Sequence, residues 1–262
     1  MNTQPTITDE TIQRMEDMSW FTHTQIFDDL LIVAQKETAC YVWKTGAGLV
    51  VFDGIWPDER VVEEIRAAIK EAGWESEKIT KFVMTHGHID HVGCGKWLAD
   101  QGAKSYLSEK DDELRMSTPH EDGRSDCWKE FAITKHIKEG DVIDCGDKFV
   151  SVLSTPGHTE GCMSFFFPVH EGGKEYWAGL FGGATAPHGD EKGKMLQRAS
   201  IMKFKLAAKA NHCDVALTNH TAFDNGQERI AYSKVRTPYL PNIYIMGTEG
   251  VQKFCSVFSK VS

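Results

Sequence analysis

The chain has 262 residues, of which 41% are hydrophobic and 26% are charged, and its formal net charge is -9. These proportions are ordinary for a soluble globular protein. The lysines and arginines form no basic cluster of the kind that binds a nucleic-acid backbone. We therefore expect a single α/β domain over residues 1–262 that acts on a small molecule.

Two further features bear on where the protein works. No apolar run approaches the ~20 residues that span a bilayer, and residues 1–5 lack the basic start and apolar stretch of a secretory signal. The seven cysteines include no C-x-x-C pair, which fits a reducing compartment. The sequence predicts a cytoplasmic protein with buried thiols and no membrane partner, and it leaves the oligomeric state open.

Hydrophobic periodicity predicts strands in both halves of the chain, with helices between them. In the first half, strands are expected at 25–34, 39–43, 46–54, 79–84 and 104–108, with helices at 57–72 and 94–101. In the second half, strands are expected at 142–143, 149–154, 162–167, 175–178 and 214–218, with helices at 198–211 and 250–259. Residues 109–140 give no clear pattern. This order favours two sheets with helices on their outer faces over a regular βαβ alternation.

The strongest chemical signal is HGHIDH at 86–91, directly after a predicted strand. It places four potential metal ligands within six residues, which a purely structural loop rarely needs. His86 and His88 alternate and can direct two imidazoles at one ion, whereas Asp90 and His91 can face a second. Two neighbouring ions lower the pKa of a shared water, and the carboxylate of Asp90 can accept its proton or a hydrogen bond from it.

Two more histidines follow predicted strands. His158 lies in TPGHT at 155–159, after the strand at 149–154, and His220 follows the strand at 214–218. Loops at strand ends are common places for functional residues. Because a histidine follows each of three predicted strands, the sequence predicts that these histidines form one site at one edge of the sheets.

These motifs, in this order and over nearly the whole chain, resemble the metallo-β-lactamase superfamily. The resemblance implies an αβ/βα sandwich with a metal site at one edge. It implies that the first metal is bound by His86, His88 and His158, and the second by Asp90, His91 and His220. Asp53, in Phe52-Asp53-Gly54, matches an aspartate of the family that orients ligands without binding metal itself.

Many members of that superfamily hold both metals with a bridging aspartate, and residues 176–187 contain no carboxylate. In this respect the chain resembles the β-lactamase subclass whose sites are three histidines and Asp-His-His. The segments 213–218 and 245–251 also resemble that subclass. Where its substrate-binding serines are expected, this chain has Gly183 and Thr185, and His188 is a further candidate for contact with substrate.

The resemblance implies a hydrolase with two zinc ions, in which metal-bound hydroxide attacks the carbonyl of a β-lactam, lactone, ester or thioester. Iron and manganese remain open as alternatives to zinc. A mononuclear iron oxidoreductase of the sulfur dioxygenase type is the competing function, and the missing bridging aspartate disfavours it. Members that process nucleic acid usually carry an added domain or a basic surface, and neither is seen here.

Overall fold

Two β-sheets face each other, and helices cover their outer faces. The computed structural model describes residues 20–117, 130–183 and 190–258. This arrangement is the αβ/βα sandwich that the sequence predicts. Within the described residues, no helix is both long and apolar enough to cross a membrane.

The first sheet has seven strands in the order of the chain, β1 to β7. Strands β1 to β4 are antiparallel neighbours, and β4 to β7 run parallel. Their bounds are Phe21–Phe27, Leu30–Gln35, Ala39–Thr45, Gly48–Phe52, Ile79–Val83, Lys104–Leu107 and Lys135–His136.

The second sheet has five strands in the order β12-β11-β10-β9-β8. All neighbours are antiparallel except β11 and β12, which are parallel. Their bounds, from β8 to β12, are Val142–Asp144, Phe149–Ser154, Met163–Glu171, Lys174–Phe181 and Val215–Thr218.

Seven α-helices lie within the described residues, together with one short 3₁₀ turn at Thr221–Phe223. We number them α1 to α7 in chain order. Their bounds are Glu59–Glu71, Ile89–Val92, Gly95–Asp100, Glu109–Ser117, Glu191–Ala210, Gly226–Val235 and Gly247–Phe258. Helices α1 and α3 pack on the seven-stranded sheet, and α5 and α7 pack on the five-stranded sheet.

The space between the sheets is filled by large side chains from both of them. Trp43 and Phe52 come from the first sheet, and Phe165 and Phe167 from the second, and all four are fully buried. The rings of Phe52 and Phe167 stack with their centroids 4.6 Å apart. Each such burial contributes roughly 2–3 kcal/mol, so this aromatic layer holds the two sheets, and the strand ends above it, in a fixed relation.

The structure departs from the sequence prediction in several places. The segment 25–34 is two strands, because the chain turns at Asp28 and Asp29. Helix α5 begins seven residues before the predicted start at 198, where the side chain of Asp190 caps it by accepting from the N–H of Lys192. Helices α4 and α6 were not predicted.

All six cysteines within the described residues are buried and free of disulfides, as expected. They are Cys40, Cys94, Cys145, Cys162, Cys213 and Cys255. Burial raises the pKa of each of these thiols. They therefore behave as small apolar side chains rather than as metal ligands or nucleophiles.

Candidate metal centre

Five strands end at the same edge of the sandwich. Strands β4 and β5 are parallel neighbours, so Asp53 and His86 emerge side by side. In the other sheet β9, β11 and β12 point the same way, because β9 and β11 are each antiparallel to β10. His158 follows β9, and His220 follows β12. The topology thus brings together histidines that are far apart in the sequence.

His86, His88 and His158 form the first of two clusters. The Nε2 atom of His158 lies 3.1 Å from Nε2 of His86 and 3.1 Å from Nδ1 of His88. The potential ligand atoms of the three residues all lie within 4.8 Å of one another. Tetrahedral Zn–N bonds of 2.0–2.1 Å would place neighbouring nitrogens about 3.3 Å apart. The spacing of these nitrogens fits a metal ion.

Asp90, His91 and His220 form the second cluster. The Nε2 atom of His91 lies 3.1 Å from Nε2 of His220 and 3.3 Å from Oδ2 of Asp90. This cluster is adjacent to the first, since the ring centroids of His86 and His91 are 4.1 Å apart. Asp90 and His91 belong to α2, a single helical turn that starts directly after His88. Because of this helical turn, the segment 86–91 contributes two histidines to the first cluster and an aspartate and a histidine to the second.

Outer hydrogen bonds fix the orientation of three of these imidazole rings. His91 donates from Nδ1 to Oδ2 of Asp53, and His220 donates from Nδ1 to the carbonyl oxygen of Glu37, each at 3.0 Å. His86 Nδ1 lies 3.0 Å from Oγ1 of Thr85, whose hydroxyl proton is already donated to Asp53. Each Nδ1 therefore carries the proton, and each Nε2 lone pair points inward.

Asp53 lies behind both clusters in a strained turn. Its φ of 58° and that of Ile55, 50°, are in the left-handed region, which is uncommon for residues other than glycine. Backbone hydrogen bonds hold this turn against α2: Gly54 N–H donates to the His91 carbonyl, and Gly93 N–H donates to the Ile55 carbonyl. The strained turn thus aims the Asp53 carboxylate at His91 and Thr85.

The charges of the site are set by burial and by two carboxylates. Burial lowers the pKa of His86 well below its ordinary value, and the neighbouring histidines lower it further. Burial also lowers the pKa of His220, to about 4. For His91, burial is outweighed by Asp90 and Asp53, which raise its pKa to about 10. His86 and His220 are therefore neutral imidazoles, whereas the carboxylates of Asp90 and Asp53 stabilise positive charge at His91, where a divalent cation would take the place of its proton.

Asn219 is a polar residue of the site that sequence reasoning missed. Its Nδ2 atom lies within 3.0 Å of Oδ2 of Asp53, Oγ1 of Thr85 and the carbonyl oxygen of Gly182. These contacts join β12 to β4, β5 and the end of β11 directly behind the two clusters. Its position immediately before His220, at a strand end, was the available signal.

Asp111 is the second missed residue, and it connects the loops that carry the first cluster. It lies in the first turn of α4, is 1% exposed, and accepts at 2.7 Å from the hydroxyl of Thr159. A Cβ on Gly87 would lie 2.2 Å from its carbonyl oxygen, so the turn between His86 and His88 packs directly on it. Asp111 was missed because residues 109–140 show no periodicity.

Gly183 is the one predicted substrate-binding residue within the described part of the chain. It is buried beside His158, where a Cβ would approach Cβ of that histidine to 2.7 Å. Its carbonyl oxygen accepts from Nε2 of Gln197 on α5. Thr185 and His188 lie outside the described residues. The end of β11 thus presents glycines beside the first cluster and no carboxylate.

Comparison with known proteins identifies the family. The family model of the metallo-β-lactamase superfamily matches residues 35–171, more than half of the chain. A hydroxyacylglutathione hydrolase of Mesorhizobium japonicum is 33% identical over 105 residues, and an uncharacterised protein of Aquifex aeolicus is 34% identical over 129 residues. These alignments cover 40% and 47% of this chain but only 34% and 55% of the relatives.

Solved structures match over almost the whole chain. BJP-1, a subclass B3 metallo-β-lactamase of Bradyrhizobium japonicum, superposes with a TM-score of 0.77 over 94% of each chain, at 25% identity. The native FEZ-1 metallo-β-lactamase of Legionella gormanii gives a TM-score of 0.75 over 92% of this chain and 93% of the other, at 21% identity, and supports the fold alone. The resemblance to the superfamily, and within it to this kind of β-lactamase, is confirmed. The chain belongs to the metallo-β-lactamase superfamily.

Proposed function

We propose that the protein is a binuclear, zinc-dependent hydrolase of a small molecule with a reactive carbonyl, such as a β-lactam, lactone, ester or thioester. One observation carries the proposal: two clusters of three ligands lie side by side, and outer hydrogen bonds turn their lone pairs inward. The names of the relatives, a hydroxyacylglutathione hydrolase and β-lactamases, support the reaction class.

The donor set favours zinc at both positions. His86, His88 and His158 would hold one ion, and Asp90, His91 and His220 the other. Imidazole and carboxylate ligands suit zinc, and three protein ligands per ion leave a coordination position open, as in catalytic rather than structural sites. When bound, the two ions would polarise a carbonyl and lower the pKa of a water molecule.

The residues of the chain itself have separable roles. Neighbouring histidines hold the pKa of the Asp90 carboxyl well below its ordinary value against the opposing effect of burial, so it stays ionised. An ionised Asp90 can bind a metal cation and can accept a hydrogen bond from the attacking water molecule. Asp53 holds His91 and, through Thr85, His86, which keeps both rings oriented during turnover. Gly183, which packs against His158, and Thr185 and His188 stay proposed as substrate contacts.

The first test is the metal content of protein purified without added metal. We expect two zinc ions per chain, and hydrolysis of at least one compound in a panel of β-lactams, lactones, esters and thioesters. His88→Ala and Asp90→Ala should each lower the zinc content to about one ion per chain and remove nearly all activity. His136→Gln, a histidine outside the site and 46% exposed, is the control and should keep both ions and full activity.

Two outcomes would contradict the proposal. One iron per chain, with oxygen consumption in the presence of thiol substrates, would favour the oxidoreductase of the sulfur dioxygenase type. Unchanged turnover in His88→Ala or Asp90→Ala would show that these clusters do not carry the reaction.

A further inference from the structure

A second concave site lies at the opposite end of the sandwich from the metal centre. It is a cleft of about 760 Å³ where β5 and β6 begin and β8 of the other sheet faces them. Cavities of roughly 300–1,000 Å³ are the size that binds small molecules. Lys81, in this cleft, precedes His86 by five residues along an extended strand, about 16 Å at the usual rise per residue. The cleft is therefore separate from the metal centre.

Lysines from three neighbouring strands point into this cleft. Lys81 on β5 and Lys104 on β6 are direct partners in the parallel register, and Lys135 on β7 follows at the edge. Side chains alternate between the faces of a strand. Val83 and Tyr106 belong to the core between the sheets, so Lys81 and Lys104, two residues before them, share that face. Lys135 shares it for the same reason, because Ile137 belongs to that core.

The ammonium groups of these lysines form no ion pairs within the part of the chain that the structure describes. Lys81, Lys104, Lys135 and the neighbouring Lys78 all line the cleft, and none makes an ion pair or side-chain hydrogen bond with any residue that the structure describes. Other lysines of the chain do form ion pairs, as Lys148 does with Asp29 and Lys203 with Glu139.

Within the described part of the chain, four lysines line the cleft against a single carboxylate. Asp144 is the one acidic residue among the described residues that line the cleft, and its Oδ1 accepts from the N–H of Gly146. Like charges directly opposite each other on one face of a sheet are destabilising. A cleft with one sign of charge concentrates the field and attracts ions of the other sign. This local excess of positive charge is the more notable because the chain as a whole carries -9.

We propose that this cleft binds a small polyanion of the phosphate class, with two or more adjacent negative charges. Lysine ammonium groups act as point-charge donors suited to phosphate oxygens, and the cleft offers no arginine for the flat, bidentate recognition of a carboxylate. The amide of Gln101 adds a neutral donor, and Tyr106 and Ile143 provide apolar surface. The site is independent of the metal centre and of the reaction proposed there.

The test is a calorimetric titration of the full chain with pyrophosphate in 150 mM NaCl. We expect saturable binding to the wild type, and binding at least about 10-fold weaker in Lys81→Met/Lys104→Met. The matched control is Lys192→Met/Lys209→Met, which removes two exposed lysines of α5 and changes the net charge by the same amount. The control should bind as the wild type does. Both variants keep the metal ligands, so binding of pyrophosphate to metal would be equal in the two.

Amide chemical-shift mapping adds a second readout. Pyrophosphate should shift the amide signals of Lys81, Gly102 and Lys104, and it should raise the melting temperature of the wild type but not of the cleft variant. If the double variant does not fold, Lys104→Met alone, at an exposed lysine, takes its place. Absence of saturable binding, equal weakening in both lysine pairs, or unchanged affinity in the cleft variant would each overturn the proposal.

Discussion

Asn219 and Asp53 lie 166 residues apart in the chain, yet Nδ2 of Asn219 donates to Oδ2 of Asp53 at 3.0 Å. This contact joins the last strand of the second sheet to the turn after β4 in the first sheet. Asp53 in turn orients His91 through Nδ1. The amide of Asn219 thus connects the second sheet to the carboxylate that orients the ring of His91.

Replacing Asn219 with aspartate should disrupt this connection with almost no change of volume. The new carboxylate would face Asp53 and the carbonyl oxygen of Gly182 at a position that is 1% exposed. Because an unpaired buried charge costs about 3–5 kcal/mol, we expect the free energy of unfolding at pH 7.5, measured in urea, to fall by at least about 3 kcal/mol. Zinc affinity at the cluster with His91 should fall about 10- to 100-fold.

Asn211→Asp is the control for that substitution. Asn211 is an exposed residue at the end of α5 whose side chain donates to the carbonyl oxygen of Ala207. The same chemical change there should cost less than about 1 kcal/mol and leave zinc affinity unchanged. Equal losses in the two variants would mean that the contact between Asn219 and Asp53 is not responsible.

The buried carboxyl group of Asp111 gives the stability of the protein a specific pH dependence. Burial raises its pKa to about 6, although Thr159 and the N–H groups of Gly161 and Gly87 act in the opposite direction. Its value in the unfolded chain is about 3.9. Between these values the folded state binds more protons than the unfolded state. The contribution of Asp111 to stability is therefore present below about pH 4 and is lost as the pH rises through 6.

Asp111→Asn removes this titration and keeps an oxygen that can accept from Thr159. The stability of the variant relative to the wild type should therefore increase by about 2–3 kcal/mol between pH 4 and pH 7.5, since two pKa units correspond to about 2.7 kcal/mol. Urea unfolding at the two pH values measures it. Asp100→Asn, at an exposed carboxylate on α3, should follow the wild type. A difference between Asp111→Asn and wild type that is constant with pH would contradict this account.

The sequence singled out the candidate ligands because they lie near the ends of strands with a clear hydrophobic pattern. His86, His158 and His220 come shortly after β5, β9 and β12, and the structure places them at one edge. The spacing at 86–91 is local information. Local information also located most strands of both sheets, because buried strands in a sandwich are continuous apolar runs.

The supporting contacts could not be predicted in the same way. Asp111 belongs to α4, which carries several other charged residues. In the sequence, nothing distinguishes the buried carboxylate of Asp111 from the exposed acidic side chains of that helix. Asn219 acts on residues in both sheets, and its contacts depend on how the sheets pack. The start of α5 at Glu191 was missed because Gly193 breaks the helical pattern, although Gly193 is buried within the helix.

The absence of a side chain on Gly87 is a further requirement of the first cluster. This glycine lies between His86 and His88, and a Cβ there would meet the carbonyl oxygen of Asp111 at 2.2 Å, closer than atoms can approach. Gly87→Ala should therefore force the turn away from α4 and separate the two histidines. We expect the free energy of unfolding to fall by about 1–3 kcal/mol, and zinc content to fall to about one ion per chain.

Gly173→Ala separates this effect from the general cost of replacing a glycine. Gly173 lies in the tight turn between β10 and β11, has a φ of 80°, and has open space around its Cα. Alanine there should cost about 1 kcal/mol through backbone strain and leave two zinc ions per chain. If Gly87→Ala retained both ions while losing stability, the packing of Asp111 on this turn would serve folding alone. If it retained both ions and full stability, the close contact with Asp111 would not constrain the turn at all.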